Sequence, residues 1–89
     1  MNIVLNKKYG GFSLPEEFCT QYNMKKYEDI NRTDNRLINF IENRGGHVEV
    51  SHGNLVVAEI PDESTDWEIN EYDGYENITF VLDGKLFHK

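Results

Sequence analysis

The sequence predicts a small α+β domain, with an antiparallel sheet from the C-terminal half plus one N-terminal strand, packed with two helices. Three observations carry this. Leu55-Val56-Val57-Ala58-Glu59-Ile60 is a short apolar run stopped by Pro61-Asp62, which reads as a buried strand. Two alternating stretches, Trp67 to Tyr72 and Asn77 to Leu82, each end in an Asp-Gly pair, and glycine accepts the positive φ of a tight hairpin turn. Two further stretches, Leu14 to Met24 and Asp34 to Arg44, space their apolar residues at helical intervals. With 89 residues, 38% apolar and 12% aromatic, the chain makes one domain, residues 1–89, whose core is adequate but not generous.

Taken in order, Asn2-Ile3-Val4-Leu5-Asn6 suits a strand inserted in the sheet. Lys7 to Phe12 follows as a glycine turn. Ser13-Leu14-Pro15-Glu16 has capping-box spacing, in which the Ser13 hydroxyl accepts from the Glu16 amide and the Glu16 carboxylate reaches back. Pro15 is tolerated in a first turn. The helix, Leu14 to about Met24, aligns Leu14, Phe18 and Tyr22 on one stripe with Cys19 beside it. Lys25 to Arg32 is a polar connector anchored by Tyr27 and Ile30. Asp34 caps a second helix running to Arg44, with Leu37, Ile38 and Ile41 buried and Phe40 at the edge, ended by Gly45-Gly46.

His47 to Val50 reads as a strand that turns through Ser51 to Asn54 into the Leu55 strand. That strand is expected to lie centrally, with Val56 or Val57 fully buried. Pro61 lacks an N–H, so pairing ends there. Trp67 to Tyr72 places Trp67, Ile69 and Glu71 on one face and Glu68, Asn70 and Tyr72 on the other. Asp73-Gly74 closes a tight turn, or a longer loop that takes in Tyr75 and Glu76. Ile78, Phe80 and Leu82 alternate into Asp83-Gly84 and Lys85-Leu86-Phe87, an antiparallel hairpin.

The net charge of −7 is unevenly spread. Residues 45 to 84 hold no Lys or Arg but carry ten acids, whereas the first 44 residues are nearly balanced. Such a surface repels phosphate, so direct nucleic-acid binding is not expected. The acids either solubilise the outer face of a sheet or form a patch that docks on a basic partner, as a DNA mimic does. No stretch approaches the roughly 20 apolar residues that span a bilayer, and Met1 to Asn6 is too short for a signal peptide. A single cysteine excludes an internal disulfide. A cytoplasmic setting is expected, in which the Asn77-Ile78-Thr79 sequon is chance.

No catalytic arrangement is legible. Cys19 falls on an apolar stripe, where a thiol is inert. His47, His52 and His88 lack zinc-ligand spacing, and Glu71, Asp73 and Glu76 lack the calcium-loop pattern. No catalytic residue, cofactor or metal is therefore expected. The Gly10-Gly11 turn, with Lys7 and Lys8 before it and a helix start after it, has the ingredients of an anion site but matches no phosphate-loop motif. The signal is weak, and a tight turn that needs glycine for its backbone is the default reading.

Four blocks occur in order: Ile3-Val4-Leu5-Asn6 with Tyr9-Gly10-Gly11-Phe12; Arg32-Thr33-Asp34 with Leu37-Ile38; Ala58-Glu59-Ile60-Pro61-Asp62; and Trp67 with Glu71-Tyr72-Asp73-Gly74 and Glu76. In these blocks, across most of residues 2 to 76, the chain resembles a group of small, mostly uncharacterised bacteriophage and prophage proteins. It departs from them at Asn35, where proline is usual, and in the tail, which lacks a His-Arg-x-Trp ending. The resemblance implies phage origin and the host cytoplasm, and supplies no activity.

Aromatic rings with arginine and carboxylates are a common lining for a polar ligand. The residues in question are Tyr9, Gly10, Gly11, Phe12, Arg32, Asp34, Trp67, Glu71, Tyr72 and Asp73. The first functional expectation is a non-catalytic phage accessory protein that binds a host factor at these residues, acting against host defence. That factor is a nucleotide-like small molecule or a host protein. The second is an acidic, inhibitory protein that docks on a basic host surface. An open strand edge in so small a domain also suggests a symmetric homodimer.

Overall fold

The computed structural model describes residues 1–89 and has two helices and two three-stranded antiparallel sheets. The elements are β1 (Asn2–Asn6), α1 (Glu16–Tyr22), α2 (Asn35–Glu42), β2 (His47–Val50), β3 (Gly53–Glu59), β4 (Asp66–Tyr72), β5 (Tyr75–Leu82) and β6 (Lys85–His88). The α+β class is as expected, but the single sheet is not. β1, β3 and β2 form one sheet, and β4, β5 and β6 form a second. The break falls at Pro61, which supplies no ladder donor and releases the chain to start a new layer.

Side-chain alternation then builds three layers. Val4, Leu55 and the partly buried Val57 face the helices, where they pack with Leu14, Phe18, Leu37, Ile38, Phe40 and Ile41. Ile3 and Leu5, one residue out of phase, face the second sheet and pack with Ile60, Ile78 and Phe80. The first sheet is thus covered on both faces, which is why β1 and β3 are continuous apolar runs rather than alternating ones. Each fully buried Leu, Ile or Phe contributes on the order of 1.5–3 kcal/mol.

β3 is central in its sheet, yet neither Val56 nor Val57 is fully buried; Leu55 and Ile60 are. The second sheet stacks against β1, whose contact is with β5, and leaves Val56 partly open. On the other face the short helices cover Leu55 and reach only the edge of Val57. Phe40, expected at a helix edge, is buried at 6% exposure and meets Phe18 edge-on.

The capping box does not form. α1 starts at Glu16 behind Pro15, whose extended backbone occupies the cap position and offers no side-chain oxygen. Ser13 is instead buried, and its hydroxyl has no partner. Removing a hydroxyl that is buried without a hydrogen bond relieves a desolvation cost. Ser13→Ala is therefore expected to be neutral or to stabilise by up to about 1 kcal/mol in urea denaturation; a loss above that would mean the hydroxyl is satisfied.

The second cap forms as expected. The Asp34 carboxylate accepts from the Arg36 amide at 2.8 Å and pairs with the Arg36 guanidinium at 2.8 Å. The Arg36 side-chain hydrogen bond comes first among the causes that lower the Asp34 pKa. A lowered folded-state pKa gives stability that is present above the unfolded value of about 4 and lost as pH falls through the folded one. Asp34→Ala should therefore cost about 1 kcal/mol at neutral pH. The gap should narrow below about pH 4; one that did not change between pH 7 and pH 2.5 would refute the charge contribution.

Candidate functional site

The sequence blocks converge where the Lys7–Phe12 turn meets the tip of the β4–β5 hairpin. Asp73 and Gly74 both have positive φ, 53° and 88°, and Tyr72 pairs with Tyr75, so the turn is the tight two-residue form. The Gly10 amide donates to the Asp73 carbonyl at 3.0 Å. This approach leaves no room for a side chain. A Cβ on Gly74 would collide with the Gly11 amide nitrogen and lie 2.6 Å from the Gly10 carbonyl carbon. On Gly10 it would strike the His52 carbonyl. The glycines are required by turn geometry and backbone contact, which supports the turn reading over an anion loop.

Asn6, the last residue of β1, ties the corner together and is fully buried. Its side-chain amide donates to the Gly74 carbonyl at 2.7 Å and the Lys8 carbonyl at 2.9 Å, while its oxygen accepts from the Asn54 amide at 2.8 Å. Its backbone amide donates to the Glu76 carboxylate at 2.8 Å. Three segments distant in sequence meet on one side chain.

Arg32 and Glu76 complete the bracing. The guanidinium donates two parallel bonds to the carboxylate, at 2.6 and 2.8 Å, and a third to the Val4 carbonyl at 3.2 Å. Its carbon lies 3.6 Å from the centre of the Phe12 ring. Glu76 is 5% exposed. A carboxylate this buried requires a charged partner, and a bidentate arginine stacked on a ring meets that need.

The expected site residues therefore divide. Gly10, Gly11, Phe12, Arg32, Glu71 and Asp73 are gathered at the corner, but all except Asp73's side chain serve its architecture; the Glu71 carboxylate accepts from the Gly74 amide at 2.5 Å. Asp34 is spent on its helix cap and Arg36. Trp67 stands at the other end of β4, five residues or about 17 Å from Tyr72, half-buried against the second core cluster. Tyr9 and Tyr72 remain outside the bracing, 63% and 78% exposed. Tyr75 joins them, cross-strand from Tyr72 and with its ring centre 5.3 Å from that of Tyr9. The Lys7 ammonium lies 5.2 Å from the Tyr75 ring centre, and burial lowers its pKa, with nearby Glu76 opposing.

Asn6 and Glu76 stand in the four blocks but, like Tyr75, were not among the residues expected to line the site. Glu76 carried a readable signal, because alternation in β5 puts it on the inward side with Ile78, Phe80 and Leu82.

Elsewhere, the half-buried Cys19 has its thiol pKa raised, first by burial and then by Glu28, which makes it a poor nucleophile. It lines a cavity of about 310 Å³ between α1 and β2, together with Leu14, Pro15, Lys26, Val50 and Ser51. No group of three or more His, Cys, Asp or Glu side chains is placed to hold a metal ion, and no helix is long and apolar enough to cross a membrane. Of the ten acids between residues 45 and 84, Glu76 is buried and the other nine are exposed. Comparison with protein-family models, with curated proteins and with solved structures finds no match to this chain.

Proposed function

We propose that this chain is a non-catalytic binding protein that docks on a basic surface of a partner protein through Tyr9, Tyr72 and Tyr75 and the neighbouring Glu71 and Asp73. The observation that carries this reading is the exposure of Tyr9 and Tyr72 on a corner braced by buried hydrogen bonds and an ion pair. A fold-only role accounts for the glycines, Asn6, Arg32 and Glu76, and gives no reason to hold two tyrosine rings in water. Rigid tyrosines supply contact area at low entropic cost, and such residues dominate binding energy at interfaces. The carboxylates beside them select a cationic counterpart, and a guanidinium lies favourably on a tyrosine face. The remaining exposed acids attract a basic partner over longer range.

In the phage setting that the resemblance implies, the partner is a host protein, and the effect is to block or sequester it in host defence. The nucleotide-like alternative is less well supported, because Arg32 is already engaged on both nitrogens by Glu76. The chain acts as a symmetric homodimer in this reading.

Capture from bacterial lysate tests the proposal. Wild-type bait should retain a basic protein that moderate salt releases. Two double variants, Tyr9→Ala/Tyr72→Ala and Glu71→Gln/Asp73→Asn, should fail to retain it while their melting temperatures stay within a few degrees of wild type. Retention unaffected by both would overturn the assignment. A melting temperature raised by nucleotide, and no longer raised in Tyr9→Ala, would favour the small-molecule reading instead.

A further inference from the structure

We infer that two copies of this chain pair antiparallel along β6, joining their second sheets into one six-stranded sheet. The inference rests on the homodimer of that reading and gives it an interface from the four sheet edges; it does not use the tyrosine corner, so the docking surface and the dimer can fail separately. The β1 edge is already used: the Val4 amide donates to the Arg32 carbonyl at 2.8 Å, the Val4 carbonyl accepts from the Arg32 guanidinium, and the Asn6 amide donates to Glu76. The β4 edge carries exposed Asp66, Glu68 and Glu71, so two copies meeting there would repel. β2, as short as β6, exposes only the polar His47 and Glu49 and turns Val48 and Val50 into its own core.

β6 is different. Leu86 is 64% exposed and Phe87 41%, on a strand that pairs only with β5. Ile78 and Lys89 exchange both backbone hydrogen bonds, at 3.1 and 2.8 Å. Antiparallel alternation then makes Phe80–Phe87 and Leu82–Lys85 the other bonded pairs, so the N–H and C=O groups of Leu86 and His88 point outward, unpaired. An edge with open backbone groups and exposed apolar side chains is a template for another strand.

The exposed apolar Leu86 and Phe87 match a second copy of the same edge, and charge selects the register. A two-fold axis perpendicular to the sheet pairs residues of equal parity, leaving two central choices. Centring on Phe87 would set Lys85 against the second copy's Lys89 twice. Centring on Leu86 avoids this: the two Leu86 residues exchange backbone bonds at the axis, and each Lys85 faces a Phe87 ring of the other copy. Phe87 already stacks on Phe80 at 5.5 Å, so the ring that receives Lys85 is held in place. Because the axis reverses strand direction, the two Asp73–Gly74 turns lie at opposite ends of the joined sheet. A dimer therefore presents two copies of the tyrosine corner, facing apart.

The interface is short, so pairing should depend on concentration. Light scattering should give a mass rising from 10.4 kDa towards twice that value as protein is concentrated through the micromolar range. Leu86→Lys, which puts like charges at the axis, should remain at 10.4 kDa throughout with an unchanged circular dichroism spectrum. In a Cys19→Ser background, Leu86→Cys should form a covalent dimer under copper–phenanthroline oxidation, since bonded antiparallel pairs place Cα atoms about 5.5 Å apart. Phe87→Cys, opposite Lys85 rather than itself, should not. A constant 10.4 kDa mass in the wild type would overturn the inference, as would a dimer that Leu86→Lys leaves intact. Cross-linking through Glu49→Cys but not Leu86→Cys would move the interface to β2 and overturn it equally.

Discussion

Replacing Glu76 by Gln should lower unfolding free energy by about 3 kcal/mol, a large fraction of what a domain this size holds. The substitution keeps the shape of the side chain and removes its charge. Arg32 is then left with its guanidinium against Phe12 and the Val4 carbonyl, without the carboxylate that made its burial tolerable. The Asn6 amide keeps an acceptor in the Gln oxygen, so the loss reports the ion pair rather than that hydrogen bond. The Arg32 side chain is 22% exposed, which lets water recover part of the cost and places the figure at the lower end of the range for a broken buried pair. The double variant Arg32→Met/Glu76→Gln should regain much of the stability, because it removes the unpaired guanidinium while the Gln oxygen still accepts from the Asn6 amide. Urea denaturation of the three proteins decides it. A single-variant loss below about 1 kcal/mol would mean that the pair is solvated and does not brace the corner.

Gly74→Ala should be of similar size for a different reason, about 2–5 kcal/mol. At a φ of 88° an L side chain is strained, and here its Cβ would also drive into the backbone of Gly10 and Gly11. Backbone cannot give way as a flexible side chain can. The turn would have to separate from the Lys7–Phe12 loop, losing the bonds from Gly10 to Asp73 and from Asn6 to Gly74. Gly84→Ala is the internal control. Gly84 occupies the same place in the β5–β6 turn at a φ of 75°, and nothing lies within 4 Å of its would-be Cβ. It should lose only the conformational part, about 1–2 kcal/mol. The difference between the two melting temperatures measures the collision. Equal losses would show that the corner accommodates a methyl group and is less tightly closed than its geometry implies.

Most of the elements were legible in the chain itself, because strand alternation, Asp-Gly turns and an aspartate cap act over a few residues. The type I′ turns at Asp73–Gly74 and Asp83–Gly84, the central position of β3 and the Asp34 cap follow from such local chemistry. Ser13 failed the same kind of reasoning: the helix starts two residues later than the capping-box spacing implies, behind Pro15, and the Ser13 hydroxyl is buried without a partner. The split into two sheets was not legible either. An apolar run such as Ile3-Val4-Leu5 reports that both faces are covered, without saying whether a helix or another sheet covers each.

The corner shows the limit most clearly. Tyr9, Arg32 and the Glu71–Gly74 block drew attention from sequence alone, but whether they face a ligand or one another depends on residues far along the chain. Asn6, Arg32 and Glu76 are separated by 26 and 44 positions and meet only because β1 is sandwiched between the helix connector and β5. The parity of Glu76 within β5 marks it as inward-facing; its partner was decided by the stacking of one sheet on the other. Tyr9 and Tyr72 stay in water, outside both core clusters, and no local pattern in the sequence marks that.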